Sequence, residues 1–79
     1  MNTRFDGKLC RAIAESSLAA QLEVLELARS LEEEDAHFMF QNLDRFPKLQ
    51  RLRVPRGRLE RATLTALRSR IENVDELLI

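Results

Sequence analysis

The chain has 79 residues, of which 44% are hydrophobic and 33% are charged, and its formal net charge is zero. This length allows one small domain, and the neutral charge excludes a protein that binds polyanions through a general excess of basic residues. No apolar run approaches the ~20 residues that a membrane-spanning helix requires, and the first residues lack the apolar core of a signal peptide. A lone cysteine, Cys10, cannot form an intrachain disulfide, so we expect a cytoplasmic location.

The first predicted unit is a helix over about residues 7–18, followed by a strand at about 23–27. Asp6 is a suitable N-cap, because its carboxylate can accept unpaired amide hydrogens of the first turn. Apolar residues then recur at helical spacing, which predicts one buried face. Residues 1–5 precede the cap without such a pattern, and we expect them to form a ragged end.

The second predicted unit is a helix over about residues 33–44, followed by a strand at about 50–54. Its start carries the acidic run 32–35, which a helix dipole favours in the first turn. Pro47 predicts the end of the helix, because the residue before a proline is displaced from the helical region.

The third predicted unit begins after Pro55, which cannot donate a hydrogen bond to a neighbouring strand. Gly57 lies in the turn that follows, and apolar spacing predicts a helix over about residues 59–71. The final strand is expected at about 74–79.

Each predicted strand contains one copy of the pattern Leu-x-x-Leu-x-Leu. The copies begin at Leu22, Leu49 and Val74, which are 27 and 25 residues apart. Side chains alternate between the two faces of a strand, so the fourth and sixth positions of each copy share one face. We expect Leu25, Leu52 and Leu77 to form a buried ladder.

The other face of these strands is the predicted partner-binding surface. It is expected to be concave and to present Val24, Glu26, Arg51, Arg53, Glu76 and Leu78. On this alignment Glu26 faces Arg53 and Arg51 faces Glu76 across neighbouring strands.

Three copies at nearly constant spacing resemble the leucine-rich repeat family, in its bacterial or ribonuclease-inhibitor-like form. The clearest stretch is residues 46–54, where a proline leads into the second copy. The resemblance implies an α/β fold: a short, right-handed leucine-rich-repeat solenoid of three parallel strands alternating with three helices. The single domain covers residues 1–79, with repeat-like units at about 6–27, 28–54 and 55–79. The resemblance to leucine-rich repeats also implies a non-enzymatic protein–protein interaction module.

Two departures from the family pattern bear on association. The positions where the family places Asn or Cys hold Ser30 and Gly57, and neither terminus shows a polar cap. The strands at 23–27 and 74–79 are therefore predicted to be open edges, which invite association with a second copy of the chain or with a longer protein. A purely helical fold is the alternative, because Leu and Glu also favour helix in residues 18–27.

Charge is segregated along the chain. Residues 23–44 contain seven acidic residues and one basic residue, whereas residues 45–61 contain seven basic residues and one acidic residue. The first interpretation is two solvated surfaces that neutralise each other. The alternative is a nucleic-acid-binding regulatory protein that uses the basic group Arg51 to Arg61, although no aromatic residue lies there to stack on bases.

The residues typical of catalytic or metal sites are few and isolated. His37 and Cys10 are single residues on different predicted helices, so they cannot supply the usual ligand set for zinc. The acidic run 32–35 lacks the alternation of a calcium loop. We therefore predict no catalytic residue, no metal and no cofactor.

Overall fold

The computed structural model describes residues 2–77, with side chains from Arg4 onward. Its strands form one parallel sheet in the order β1-β2-β3-β4. The strands are β1 (Asn2–Asp6), β2 (Val24–Ala28), β3 (Arg51–Pro55) and β4 (Asn73–Leu77). The helices are α1 (Cys10–Glu15), α2 (Glu33–Gln41) and α3 (Arg61–Arg68), with 3-10 segments at Gly7–Leu9, Ser17–Gln21 and Leu43–Arg45. The mixed α/β class is confirmed, and the purely helical alternative is wrong.

The strand count differs from the prediction of three, because residues 2–6 form a strand and not a ragged end. This strand pairs with β2 over five residues, and Phe5 packs against the core. The strand at 23–27 was predicted to lack a preceding neighbour, and that prediction is wrong. Asp6 ends β1 and caps the following 3-10 segment, since its Oδ1 accepts a 3.0 Å hydrogen bond from the Lys8 amide.

The apolar ladder crosses the centre of the sheet. Leu25 is the register partner of Leu52, as predicted, and both side chains are about 1% exposed. The next partner is Val74 and not Leu77, which instead lies opposite Pro55. The predicted third member of the ladder was therefore wrong by three residues.

The register of β4 explains this error. Because Val74 is the register partner of Leu52, it occupies the fourth position of the third copy of the pattern. Ile71 then occupies the first position, and its side chain is 3% exposed. Glu76 then occupies the sixth position, beside buried Val54. An acid is tolerated on this helix-covered face because β4 is an edge strand and the Arg68 guanidinium of α3 lies 3.7 Å from the Glu76 carboxylate. Residues 78 and 79 of the predicted strand lie outside the described residues.

The helices cover one face of the sheet and are shorter than predicted. Their buried residues join the inward strand residues in one hydrophobic cluster. On α2, Met39 is 1% exposed and points into this cluster, whereas Phe38 and Phe40 are half-buried beside it. The Arg11 guanidinium lies 4.7 Å from the Phe38 ring centre, and that of Arg70 lies 5.7 Å from the Phe40 ring centre.

Helix α2 also supplies a cap for helix α3. The Glu33 carboxylate accepts a 2.7 Å hydrogen bond from the Glu60 amide and a second bond from the Thr63 hydroxyl. These donors belong to the N-cap residue and the first turn of α3, which otherwise has no side-chain cap of its own. The Thr63 bond, followed by the Glu60 bond, holds the pKa of Glu33 below its usual range despite partial desolvation.

This cap predicts a pH-dependent contribution to stability. Because the pKa of Glu33 is lower in the folded chain, the contribution is full above the unfolded pKa of about 4.5 and is lost as the pH falls through the folded value. We expect Glu33→Gln to lower the free energy of unfolding at pH 7, with the difference from the parent shrinking toward pH 3. Urea titrations across this range measure it. The same change at exposed Glu15 is the control, and an equal pH dependence at both sites would contradict the cap.

Among residues 2–77, no helix has the length and apolar character needed to cross a membrane.

Candidate binding surface on the open face of the sheet

The strand residues that point away from the helices form an open, charged face. One line of register partners crosses all four strands: Arg4, Glu26, Arg53 and Asp75. We call these four residues the charged row. Its charges alternate in sign from β1 to β4, so every residue in it has an oppositely charged neighbour.

Ion pairs connect parts of the charged row. Arg4 Nε lies 2.9 Å from the Glu26 carboxylate. Asp75 Oδ2 lies 3.5 Å from Arg51 Nε and 4.0 Å from Arg53 Nε. The Glu26 side chain is 20% exposed, whereas Arg4 at the edge is 60% exposed. Solvent therefore reaches the ion pairs at the edges of the sheet, and each such pair contributes at most about 1 kcal/mol to the stability of the fold.

The structure places the predicted partner-binding residues as follows. Val24, Glu26, Arg51 and Arg53 lie on β2 and β3 at alternate positions, with Val24 opposite Arg51 and Glu26 opposite Arg53. The register prediction for Glu26 and Arg53 is therefore confirmed. Leu78 lies outside the described residues.

Glu76 is misplaced in the sequence-based prediction. It lies on the helix side beside Arg68. The register partner of Arg51 on β4 is Asn73, and its ion-pair partner on that strand is Asp75. The predicted pair of Arg51 with Glu76 is therefore wrong. The physical reason is the alternation of the strand, since an error of an odd number of residues in register moves every side chain to the other face.

Sequence reasoning missed two members of the charged row, Arg4 and Asp75. Arg4 was missed because β1 lacks the apolar pattern of the other strands, with polar Thr3 as the register partner of Leu25. Asp75 could have been found by starting the third copy of the pattern at Ile71, at the cost of accepting Glu76 at an inward position.

A second feature is a groove beyond the carboxyl ends of β2, β3 and β4. It has a volume of about 290 Å³ and is lined by Arg29, Pro55, Arg56, Arg58 and Leu77. Its three arginines make no ion pair with another residue in the side-chain-described range 4–77. Arg29 has a left-handed backbone, with φ of 59°, which is uncommon for a residue with a side chain.

The predicted basic group does not form one patch. Arg51 and Arg53 lie on the open face, Arg56 and Arg58 lie in the groove beyond the strand, and Arg61 begins α3. The carboxylates of Glu26 and Asp75 flank the open-face arginines.

Cys10 and His37 occupy the environments expected for structural residues. Cys10 is 2% exposed in the core, whereas the His37 side chain is 62% exposed, with its Nε2 3.5 Å from the Glu33 carboxylate. In the part of the chain that the structure describes, no group of three metal-ligating side chains comes together.

The burial of Cys10 predicts an unreactive thiol. Desolvation, with a smaller effect of the nearby Asp35 charge, raises the pKa of the thiol to about 12. Because the thiolate is the reactive form, the buried thiol is expected to react slowly at pH 7. We expect an aromatic disulfide reagent to label the folded chain far more slowly than the chain in concentrated urea. Equal labelling rates in the two states would contradict the buried position.

The open face therefore offers a polar surface of alternating sign, bordered by an arginine-lined groove. Comparisons with protein-family models, with curated proteins and with solved structures find no match to this chain.

Proposed function

We propose that the chain is a non-enzymatic protein-interaction module of the leucine-rich-repeat type, and that its binding surface is the open face of the sheet. The charged row is the observation that carries this proposal. A partner that recognises it must present charges of both signs at matching spacing, which a folded protein surface can do. Electrostatic complementarity of this kind provides specificity and orientation more than raw affinity.

The repeat-like arrangement supports the fold part of the proposal. Register partners Thr3, Leu25, Leu52 and Val74 follow one another at 22, 27 and 22 residues. These spacings lie in the range of roughly 20–29 residues for leucine-rich repeats. Successive strands are neighbours in a parallel sheet, and each helix precedes the next strand, as expected when similar units stack and bury a shared core.

The non-enzymatic part of the proposal rests on the chemistry of the open face. Its carboxylates lie beside arginines on an open, partly hydrated surface, so the charges of both signs are placed to meet the charges of a partner. The cytoplasmic location belongs to the same proposal and is supported by the free thiol of Cys10 in the core.

Nucleic-acid binding is the second candidate function, and the groove of Arg29, Arg56 and Arg58 is the observation that favours it. These guanidinium groups have no carboxylate partner within residues 4–77, and guanidinium groups suit phosphate oxygens. The open face favours it less, because Glu26 and Asp75 would repel a phosphate backbone laid across the strands.

A site-specific crosslinking experiment tests the first proposal. A photoreactive side chain replaces Val24 at the start of β2 on the open face, and the same side chain at exposed Thr65 on α3 is the control. A partner captured only from position 24 is then titrated against the parent, Arg53→Glu and Arg45→Glu. We expect Arg53→Glu to weaken binding about tenfold or more and exposed Arg45→Glu to leave it unchanged. Equal binding by both variants would contradict the proposal.

Salt dependence separates the two candidates. Single-stranded DNA and RNA oligonucleotides are titrated with the parent and with Arg56→Ala/Arg58→Ala at low and moderate salt. Phosphate neutralisation makes affinity fall steeply with salt concentration. Salt-sensitive binding that the double substitution removes would establish the second candidate, and the absence of binding to either oligonucleotide would exclude it.

A further inference from the structure

The sheet has two edges, β1 and β4. Among the described residues 2–77, no segment pairs with the outer side of either strand. An uncovered edge strand presents unpaired backbone donors and acceptors that can pair with another chain.

The two edges have opposite charges at the same level of the sheet. Arg4 is the positive end of the charged row on β1, and its side chain is 60% exposed. Asp75 is the negative end on β4, and its side chain is 41% exposed with arginines on one flank only. A strand added to the β1 edge would therefore meet the exposed positive charge of Arg4. A strand added to the β4 edge would meet the exposed negative charge of Asp75.

We propose that a second copy of this chain adds its β1 to β4 in parallel, with Arg4 of the second copy opposite Asp75 of the first. The register continues that of the sheet, so Asn73 lies opposite Asn2 and Leu77 lies opposite Asp6. The alternation of the charged row then continues without interruption from one copy to the next. This contact uses the strand edges and the two ends of the charged row, so it leaves Glu26 and Arg53 on the central strands free for a partner.

Pairing of like edges is less favourable for the same electrostatic reason. An antiparallel contact centred on two β4 strands brings two Asp75 side chains together, and one centred on two β1 strands does the same for Arg4. Like charges directly opposite each other destabilise a strand pair. The favoured contact is head-to-tail, and it leaves a free edge at each end, so association proceeds beyond the dimer.

Charge reversal at the two edges tests this contact. Arg4→Glu and Asp75→Lys are each compared with the parent by sedimentation velocity across about 1–500 μM, a range suited to a small, weak contact. Each single reversal is expected to weaken self-association about tenfold. An equimolar mixture of the two variants, or the double variant Arg4→Glu/Asp75→Lys, is expected to recover the parent behaviour within about threefold.

The controls separate association from folding. Arg45→Glu changes an exposed charge away from both edges and is expected to leave association unchanged. Each variant is first checked for the parent's helical circular dichroism and thermal transition, and the mixture of single variants provides the rescue test if the double variant unfolds. A parent chain that stays monomeric over the whole range would overturn the proposal. So would weakening by only one of the two reversals, or failure of both rescues.

Discussion

Replacing Leu52 by alanine is expected to cost about 2–5 kcal/mol of unfolding free energy, as truncations of large core side chains do. Leu52 is 1% exposed on β3 and lies between Leu25 and Val74 in the sheet. Its truncation leaves a cavity in a core that strands and helices share. For a domain of this size, such a loss lowers Tm by about 10 °C or more. Thermal and urea unfolding monitored by circular dichroism measure it.

The matched control is the same substitution at Leu9. This side chain is 44% exposed, so its truncation removes little buried surface and is expected to change stability by less than about 1 kcal/mol. A Leu52→Ala variant that melts within a few degrees of both the parent and Leu9→Ala would show that the ladder is not at the centre of the core.

Replacing Gly7 by alanine is expected to destabilise the chain by about 3 kcal/mol or more, since a new methyl group in a packed interior forces the backbone to move. Gly7 is buried after β1, and a Cβ built there would lie 2.4 Å from Leu31 Cα and 2.5 Å from Leu31 Cβ. Leu31 is itself 1% exposed after β2. The turns that follow the first two strands thus touch backbone to backbone, and only glycine permits this distance.

Gly57→Ala is the control for this prediction. Gly57 has a φ of 82°, but no atom lies within 4 Å of a Cβ built there. Alanine at this position meets backbone strain of about 1–2 kcal/mol and no steric clash. We expect Gly7→Ala to be clearly the more destabilising of the two in urea titrations. A smaller loss at Gly7 than at Gly57 would contradict the close contact with Leu31, and with it the position of β1 in the fold.

The predictions for the middle of the chain were accurate because several local signals agree there. Leu25 and Leu27 lie on either side of Glu26, and Pro47 and Pro55 enclose the second copy of the pattern. Strands β2 and β3, their register and the outward positions of Glu26 and Arg53 follow from these signals. The acidic first turn of α2 was also identified correctly.

The errors lie at the two edges of the sheet. Strand β1 has five residues, as β2 and β3 do, but its single described inward side chain is Phe5, and polar Thr3 is the register partner of Leu25. The segment therefore lacks the apolar pattern of the other two strands, and the partner that makes it a strand is 22 residues away in sequence. At the other edge, the pattern could be placed from Val74 with three apolar residues, or from Ile71 with an acid at its sixth position.

The sequence by itself determined the class of the fold and the inward residues of β2 and β3, because hydrophobic periodicity is a local property that reflects burial. Only the tertiary structure decided the register of β4, since that depends on packing against α3 and on the contact of Arg68 with Glu76. Only the tertiary structure showed that Arg4 and Asp75 complete the charged row. The alternation of charge across four strands joins residues more than 20 positions apart, so it exists only once the strands lie side by side.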